Sequence, residues 1–398
     1  MIKQYYKQAL AQLRQHPLIS IIGIVGTALS IFLIMLVVMM QQVKVAPFSP
    51  ESNRNRFLHV HYMSISHKDW GNGTSNGPMS VQTAREVYKS LKTPEAVTVY
   101  CCMTVSTPVS LPGAPAIGAD VRETDDTFFH VFDFQFTDGK PYDEATFTAG
   151  RPVAVITESI SRALFGSIQS VGKEFLLSHA PYRVVGVVKD VSTLADMAYG
   201  QVWIPFTSTN LSNDTWSDNH MGMMSVTLLA HDREDFDEIR AEAKRRMNEY
   251  NSILADQGYT LIDRNRPYDQ ETQSISFAAN LEPDLKAARR ERVIIFIILL
   301  LVPAINLSSM TQSRLRQRVA EIGVRRAFGS TRIEMVGQIV MENLVITLLA
   351  GAIGLLISIL FAYWGTDILF AQPYSVTLNA PTVDSRILLQ PSTFLYAL

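Results

Sequence analysis

The chain has 398 residues, with 35 lysines and arginines against 37 acids and a formal net charge of −2. That balance argues against a strongly basic nucleic-acid binder and against an acidic, disordered chain. Apolar residues make up 47% and charged residues only 18%, which points to a membrane protein with a sizeable soluble part and room for about two to three domains.

Residues 1–17 contain Lys3, Lys7 and Arg14 and no acid, and 18–40 then runs for 23 residues without a charge. At about 1.5 Å per helical residue this run reaches roughly 35 Å, enough to cross a bilayer core. A secretory signal would be shorter and end in small residues. This run ends Met39-Met40-Gln41-Gln42, so it reads as a retained first span. Gly23 with Thr27 and Gly26 with Ser30 place small residues four apart, making Gly23, Gly26 and Ser30 candidates for helix packing. The basic N-terminus lies inside, so residue 41 onward lies outside.

From 41 to 290 nothing is apolar for long enough to span. The pattern predicts an α+β extracytoplasmic domain of two subdomains. A strand is expected at 56–63, a Gly/Asn/Ser/Pro-rich loop at 71–78 and a helix at 80–92. The stretch 97–109 is rich in strand formers, and a short helix with a turn fits 124–134. Strands follow at 153–156, 174–177, 182–188, 201–204, 221–230 and 258–263, with helices at 158–165, 233–256 and 277–292. Two βαβ-like, porter-like parts, 56–105 and 221–265, flank a strand-rich insert at 106–220. Cys101 and Cys102, the only cysteines, point opposite ways if on a strand and read as packed residues rather than a disulfide or metal pair.

The second span is expected at 291–311. It is interrupted by Pro303 and Asn306, and an asparagine there needs a partner on another helix or in water. The segment 312–335 carries six arginines, Arg314, Arg316, Arg318, Arg325, Arg326 and Arg332, against Glu321 and Glu334, which places it in the cytoplasm. Its apolar spacing predicts a helix. Gly329 is a natural stop, and Thr331 with Glu334 forms a capping box opening the next helix. A third span covers 336–364, with Ala350, Gly354 and Ser358 as a small-residue packing ladder. An outer loop at 365–390 and the start of a fourth, truncated span at 391–398 complete the reading.

Chemistry for catalysis is missing from the pattern. The nearest phosphate-loop string, Gly166 to Lys173, has one residue too many between its glycines and a glutamate after the lysine. The eight histidines are scattered. His59 and His61 share a strand face without a carboxylate or cysteine placed to complete a metal site. The expectation is therefore no catalytic residue and no metal.

The string EIGVRRAFGS at 321–330, with Glu342 downstream, resembles the cytoplasmic segment of MacB/FtsX-type ABC transporter permeases. In that family a basic run precedes E-I/L-G-I/V-R-R-A-L/I-G-A and a later glutamate. Glu321, Gly323, Arg325, Arg326, Ala327, Gly329 and Glu342 fill those positions, while Phe328 and Ser330 depart from them. The outer stretches DTFFHVFDFQFTDGKPY (126–142) and VAVITESISRALFGSIQSVGKEFLLSHAPYRVVGVVKDV (153–191) are similar to the periplasmic domain of MacB-type members, so the resemblance extends over essentially the whole chain.

The resemblance implies a bacterial inner-membrane permease that passes ATP-driven motion across the membrane for efflux or extrusion. ATP and magnesium would be held by a separate ATPase subunit, docked through Arg314, Arg318, Glu321, Gly323, Arg325, Arg326, Gly329 and Glu342. Glu342 would brace the corner through an arginine. It also implies a second permease chain, identical or related, packed through the first span and the small-residue faces. A periplasmic or outer-membrane partner is a further candidate, and no nucleic acid is expected. The alternative is an FtsX-like signalling protein that controls an extracytoplasmic partner without transport.

Overall fold

The computed structural model describes residues 17–364 and Leu388. Apart from Leu388, the outer loop read at 365–390 and the start of a fourth span lie outside the described residues, as do residues 1–16 of the N-terminal basic segment. The rest divides into an outer α+β unit and a unit of long apolar helices.

The outer unit contains fourteen strands among the described residues. Those nearest its start and end are β1 (Phe57–Val60), β2 (Met63–His67), β3 (Thr74–Gly77) and β4 (Ala96–Cys101), with β12 (Met224–Leu229), β13 (Tyr259–Ile262) and β14 (Tyr268–Asp269). They surround β5 (Val105–Ser110), β6 (Ile117–Thr124), β7 (Phe136–Gly139), β8 (Val153–Thr157), β9 (Glu174–Leu177), β10 (Ala180–Val188) and β11 (Val202–Pro205).

β4, β12, β1 and β14 lie side by side, and every neighbour pair is antiparallel. The path β1–helix–β4 therefore straddles β12, and the path β12–helix–β14 straddles β1. These are two interleaved split βαβ units in a ferredoxin-like order. The second helix, Phe236–Leu254, buries Phe236, Ile239, Ala243, Met247, Tyr250 and Leu254. That three- and four-residue spacing is one apolar stripe, and it packs in a common core with Val60, Val99, Val226 and Leu228.

Three local expectations change here. The strand expected at 258–263 forms as β13, but it pairs with β2 in a separate three-stranded sheet. The strand that closes the second unit is β14, only two residues long and too short to leave a period. The Gly/Asn-rich stretch expected to be a loop carries β3, which pairs with β2.

The middle strands form a closed ring. β6 pairs with β5, β5 with β9, β9 with β10, β10 with β8, β8 with β11, and β11 returns to β6. Closure leaves no free strand edge. Val109, Ala119, Ile156, Phe175, Val184 and Val202 fill the interior. The ring joins the ferredoxin-like sheet through the pair Tyr100↔Thr124. The run at 126–142 folds against this junction. Phe128 and Phe132 are fully buried, with ring centroids 4.7 Å apart, and Phe134 meets Trp203 edge-on at 5.0 Å.

A buried ion pair ties residues 46–54 to the loop after β10. Glu51 accepts from Arg54 Nε at 2.7 Å and from the backbone N–H groups of Met197 and Ala198 at 2.9 Å each. The Arg54 guanidinium also donates to the carbonyls of Ala46 and Leu194 and sits 4.1 Å from the Phe48 ring centroid. Both charges are thus satisfied on several sides, the condition for tolerating a buried pair.

The second unit contains three helices among the described residues that are long and apolar enough to cross a membrane, at Ser20–Val45, Leu285–Gln317 and Arg332–Trp364. The helix expected from 277 starts only at Leu285. Pro283 accounts for this, because the residue before a proline is pushed out of helical geometry. Pro303 stays inside the helix. The small residues of the first helix face neighbours in the same chain. A side-chain carbon at Gly23 would strike the Met310 thioether and one at Gly26 would strike Asn306, whose amide donates to the Gly23 carbonyl at 3.3 Å. One at Gly354 would lie 2.7 Å from the Ala28 carbonyl. Ala350 and Ser358 are buried on the same face, and Ser30 and Ser358 return their hydroxyls to the carbonyls of Gly26 and Gly354. Phe32 and Phe361 pack edge-on at 5.5 Å.

Candidate functional site

The segment between the second and third apolar helices makes a compact corner. The sequence period suggests one helix from 314 to Gly329, but the helix breaks once at Arg318, where φ is −109° and ψ is 13°. A short helix, Val319–Ala327, follows. It ends as the glycine predicts. Gly329 takes φ +93°, a region where a side chain is strained. Its N–H reaches Arg326 O at 3.1 Å and the Ser330 N–H reaches Arg325 O at 3.2 Å. These two bonds make the Schellman closure, which satisfies carbonyls a helix end otherwise leaves open. The capping box then opens the third helix, with Thr331 N–H on Glu334 at 3.0 Å and Glu334 N–H on the Thr331 hydroxyl at 3.3 Å.

Four of the residues singled out from the sequence meet in one network. Arg318 holds Glu321 at 2.9 Å and Glu342 at 3.2 Å, and Arg325 holds Glu321 at 2.6 Å. Gln338 completes it, accepting from Arg325 at 2.9 Å and donating to Glu342 at 2.9 Å. The hydrogen bond from Arg318 holds the Glu321 carboxyl below the usual carboxylate range. Glu342 is buried, at 5% exposure, so its charge depends on these partners. Asn343 adds a bond to the Thr311 hydroxyl at 2.8 Å, linking the third helix to the second. Gln338 was not a sequence candidate, although its position four residues before Glu342 was the available signal.

Arg326, Gly323 and Gly329 stand outside the network. Arg326 is exposed, and a side-chain carbon at Gly323 or Gly329 would meet nothing within 4 Å. Arg314 lies in the last turn of the helix Leu285–Gln317. Beside Arg326 the corner presents apolar side chains to the outside: Val324 at 57% exposure, Phe328 at 88% and Ile333 at 84%. Phe328, a departure from the family pattern, is the most exposed large apolar side chain of the corner. Among the described residues no group of three or more histidines, cysteines or acids is arranged to hold a metal.

A strand-rich outer unit built around a split βαβ sheet, together with long apolar helices joined by a braced basic corner, is the architecture of a membrane protein with a large extracytoplasmic domain. The chain belongs to the MacB-like periplasmic core domain family, whose model matches residues 18–246, and carries an FtsX-like permease C-terminal region at 293–397. It is a permease of the MacB/FtsX ABC transporter type. Among curated relatives it is 22% identical over 244 residues to an uncharacterized ABC transporter permease, YknZ, of Bacillus subtilis, covering 60% of this chain and 55% of that protein. It is 24% identical over 274 residues to the macrolide export ATP-binding/permease protein MacB of Burkholderia pseudomallei, covering 68% of this chain and 39% of that protein. The chain thus spans about half or less of the length of these relatives. Among solved structures, the periplasmic region of MacB from Actinobacillus actinomycetemcomitans aligns with 51% of this chain and 88% of its own, at 18% identity and a TM-score of 0.35.

Proposed function

We propose that this chain is the membrane subunit of an ABC transporter in a bacterial inner membrane, and that the corner at 318–342 docks a separate ATPase subunit that holds ATP and magnesium. The observation that carries this reading is the division of labour within the corner. Arg318, Glu321, Arg325, Gln338 and Glu342 bind one another and tie the short helix to the third long helix, which Asn343 joins to the second through Thr311. Arg326, Val324, Phe328 and Ile333 face outward, and Gly323 leaves that surface flat. A glycine inside a helix costs about 1 kcal/mol relative to alanine, and no internal contact at Gly323 offsets it, so close approach by another protein is a good reason for it.

In this reading Arg326 and Phe328 grip the ATPase, while Glu321 and Arg325 position the helix that carries them. Closing of the ATPases tilts the corner, and the helix Leu285–Gln317 carries the movement to the outer domain for efflux or extrusion. A second permease chain, identical or related, completes the assembly. Because the small-residue faces pack inside the chain, that second chain meets the apolar side chains left exposed on the second helix, such as Ile294, Ile298 and Ile305.

Purification in mild detergent from the native host tests this. An ATPase subunit should come with the protein and be lost in Arg326→Glu and Phe328→Asp. A folded wild-type protein that reproducibly brings no ATPase would overturn the reading and favour a signalling role through the outer domain.

A further inference from the structure

The six-stranded ring is plugged at one end and open at the other. Inward positions alternate along each strand, as the pleat requires. β5 turns Val105, Thr107 and Val109 inward, and β10 turns Ala180, Tyr182 and Val184 inward. Val109 and Val184 belong to the buried plug, while Val105, Thr107, Ala180 and Tyr182 line a cavity of about 330 Å³ at the mouth. That volume falls at the small end of ligand pockets, roughly 300–1,000 Å³, and barrel mouths are a recurrent place for them. Met103, Val121, Leu177, Ile204 and Leu211 give the cavity apolar walls.

On β6 the inward series is Ala119, Val121, Glu123. Glu123 therefore puts a carboxylate into an apolar mouth. Its one hydrogen bond among the described residues is from the Thr209 hydroxyl. Among the described residues no lysine, arginine or histidine lines the cavity. Asp214, on the loop after β11, and the Cys101 thiol of β4 add only like charge when ionised. The phenols of Tyr182 and Tyr142 also feel the Glu123 charge. A carboxylate so placed lacks the cation that ordinarily accompanies a half-buried charge.

We propose that the mouth of this barrel binds a small organic ammonium, with its apolar body against Leu177, Ile204 and Leu211 and its cationic head on the Glu123 carboxylate. The cavity is too small for a large macrocycle or a folded peptide. One amine on a body of one ring or a short chain is the class that fits. Burial pushes the Glu123 carboxyl up to about 7. The carboxylate needed for the ion pair forms as pH rises through that value, so affinity should grow between pH 6 and pH 8.

The test uses the full chain in lipid nanodiscs, with phenethylammonium as probe and 2-phenylethanol as its neutral counterpart, read by isothermal titration calorimetry. The expected result is saturable binding of the ammonium at pH 8, weakened about tenfold at pH 6 and about tenfold by Glu123→Gln, with the alcohol binding at least tenfold more weakly. Ile204→Trp, which fills the mouth and leaves the carboxylate in place, should abolish binding. The proposal fails if the wild-type protein gives no saturable binding, if the alcohol binds as well as the ammonium, or if Glu123→Gln binds the ammonium unchanged. The alcohol comparison needs no variant and stands even if a substitution disturbs folding.

Discussion

His59 shows how far a residue's role depends on distant chain. It is fully buried, with Nε2 2.8 Å from Gln270 Oε1 and Nδ1 3.1 Å from the Thr227 hydroxyl. The amide oxygen can only accept, so Nε2 carries the proton and Nδ1 accepts from Thr227, which is neutral imidazole. Burial lowers its pKa to about 4 from an ordinary 6.5. A histidine buried neutral contributes stability that is complete above pH 6.5 and is lost as pH falls towards 4. The thermal midpoint of the outer unit should therefore drop between pH 6.5 and pH 4, and His59→Asn should flatten that slope. An equal slope in the variant would assign the acid sensitivity elsewhere. In the sequence His59 was legible only as half of a shared strand face with His61, because both of its partners are more than 160 residues away.

Gly329 belongs to the same scale and was legible from the start, because its role is local. At φ +93° a side chain costs roughly 1–2 kcal/mol, so Gly329→Ala should weaken ATPase coupling. Gly329→Pro, whose ring fixes φ near −65°, should abolish coupling while the outer domain stays folded. Nucleotide hydrolysis by the reconstituted complex, with circular dichroism as the fold control, measures both. Full stimulation in Gly329→Pro would contradict a rigid corner.

At the scale of elements, long periodic helices and the strands at 153–157 and 174–177 could be read from pattern alone. β14 and β3 could not, being too short or too rich in glycine and asparagine. The ring was invisible for a different reason. Its closure depends on the parallel pairing of β11 with β6, two strands some 80 residues apart, and no local spacing encodes such a partner. The corner was only partly legible. Its glycine, capping box and arginines were in the sequence, and the resemblance implied a brace from Glu342 to an arginine, but the break at Arg318 and the use of Arg318, Glu321 and Arg325 within the chain depend on how two helices meet. The buried clamp at 51–54 gives a direct prediction. Glu51→Ala strands the Arg54 guanidinium inside the outer unit. The loss should be roughly 3–5 kcal/mol, seen as a lower denaturant midpoint, whereas Glu174→Ala, in an exposed pair with Arg183, should change little.

At the scale of the whole molecule, the chain combines an outer unit that has its own core with a unit of long helices, whose corner at 318–342 is braced by its own side chains. The proposed transport cycle needs the corner to be an interface. The most direct measurement is a photo-crosslink in native membranes, with a benzophenone amino acid placed at Phe328 and, as a comparison, at Ile295 in the second apolar helix. The expected result is a crosslink from position 328 to a nucleotide-binding subunit, and none to that subunit from position 295. A crosslink from position 328 only to lipid or to another copy of this chain, in membranes that contain the ATPase, would contradict the docking role of the corner.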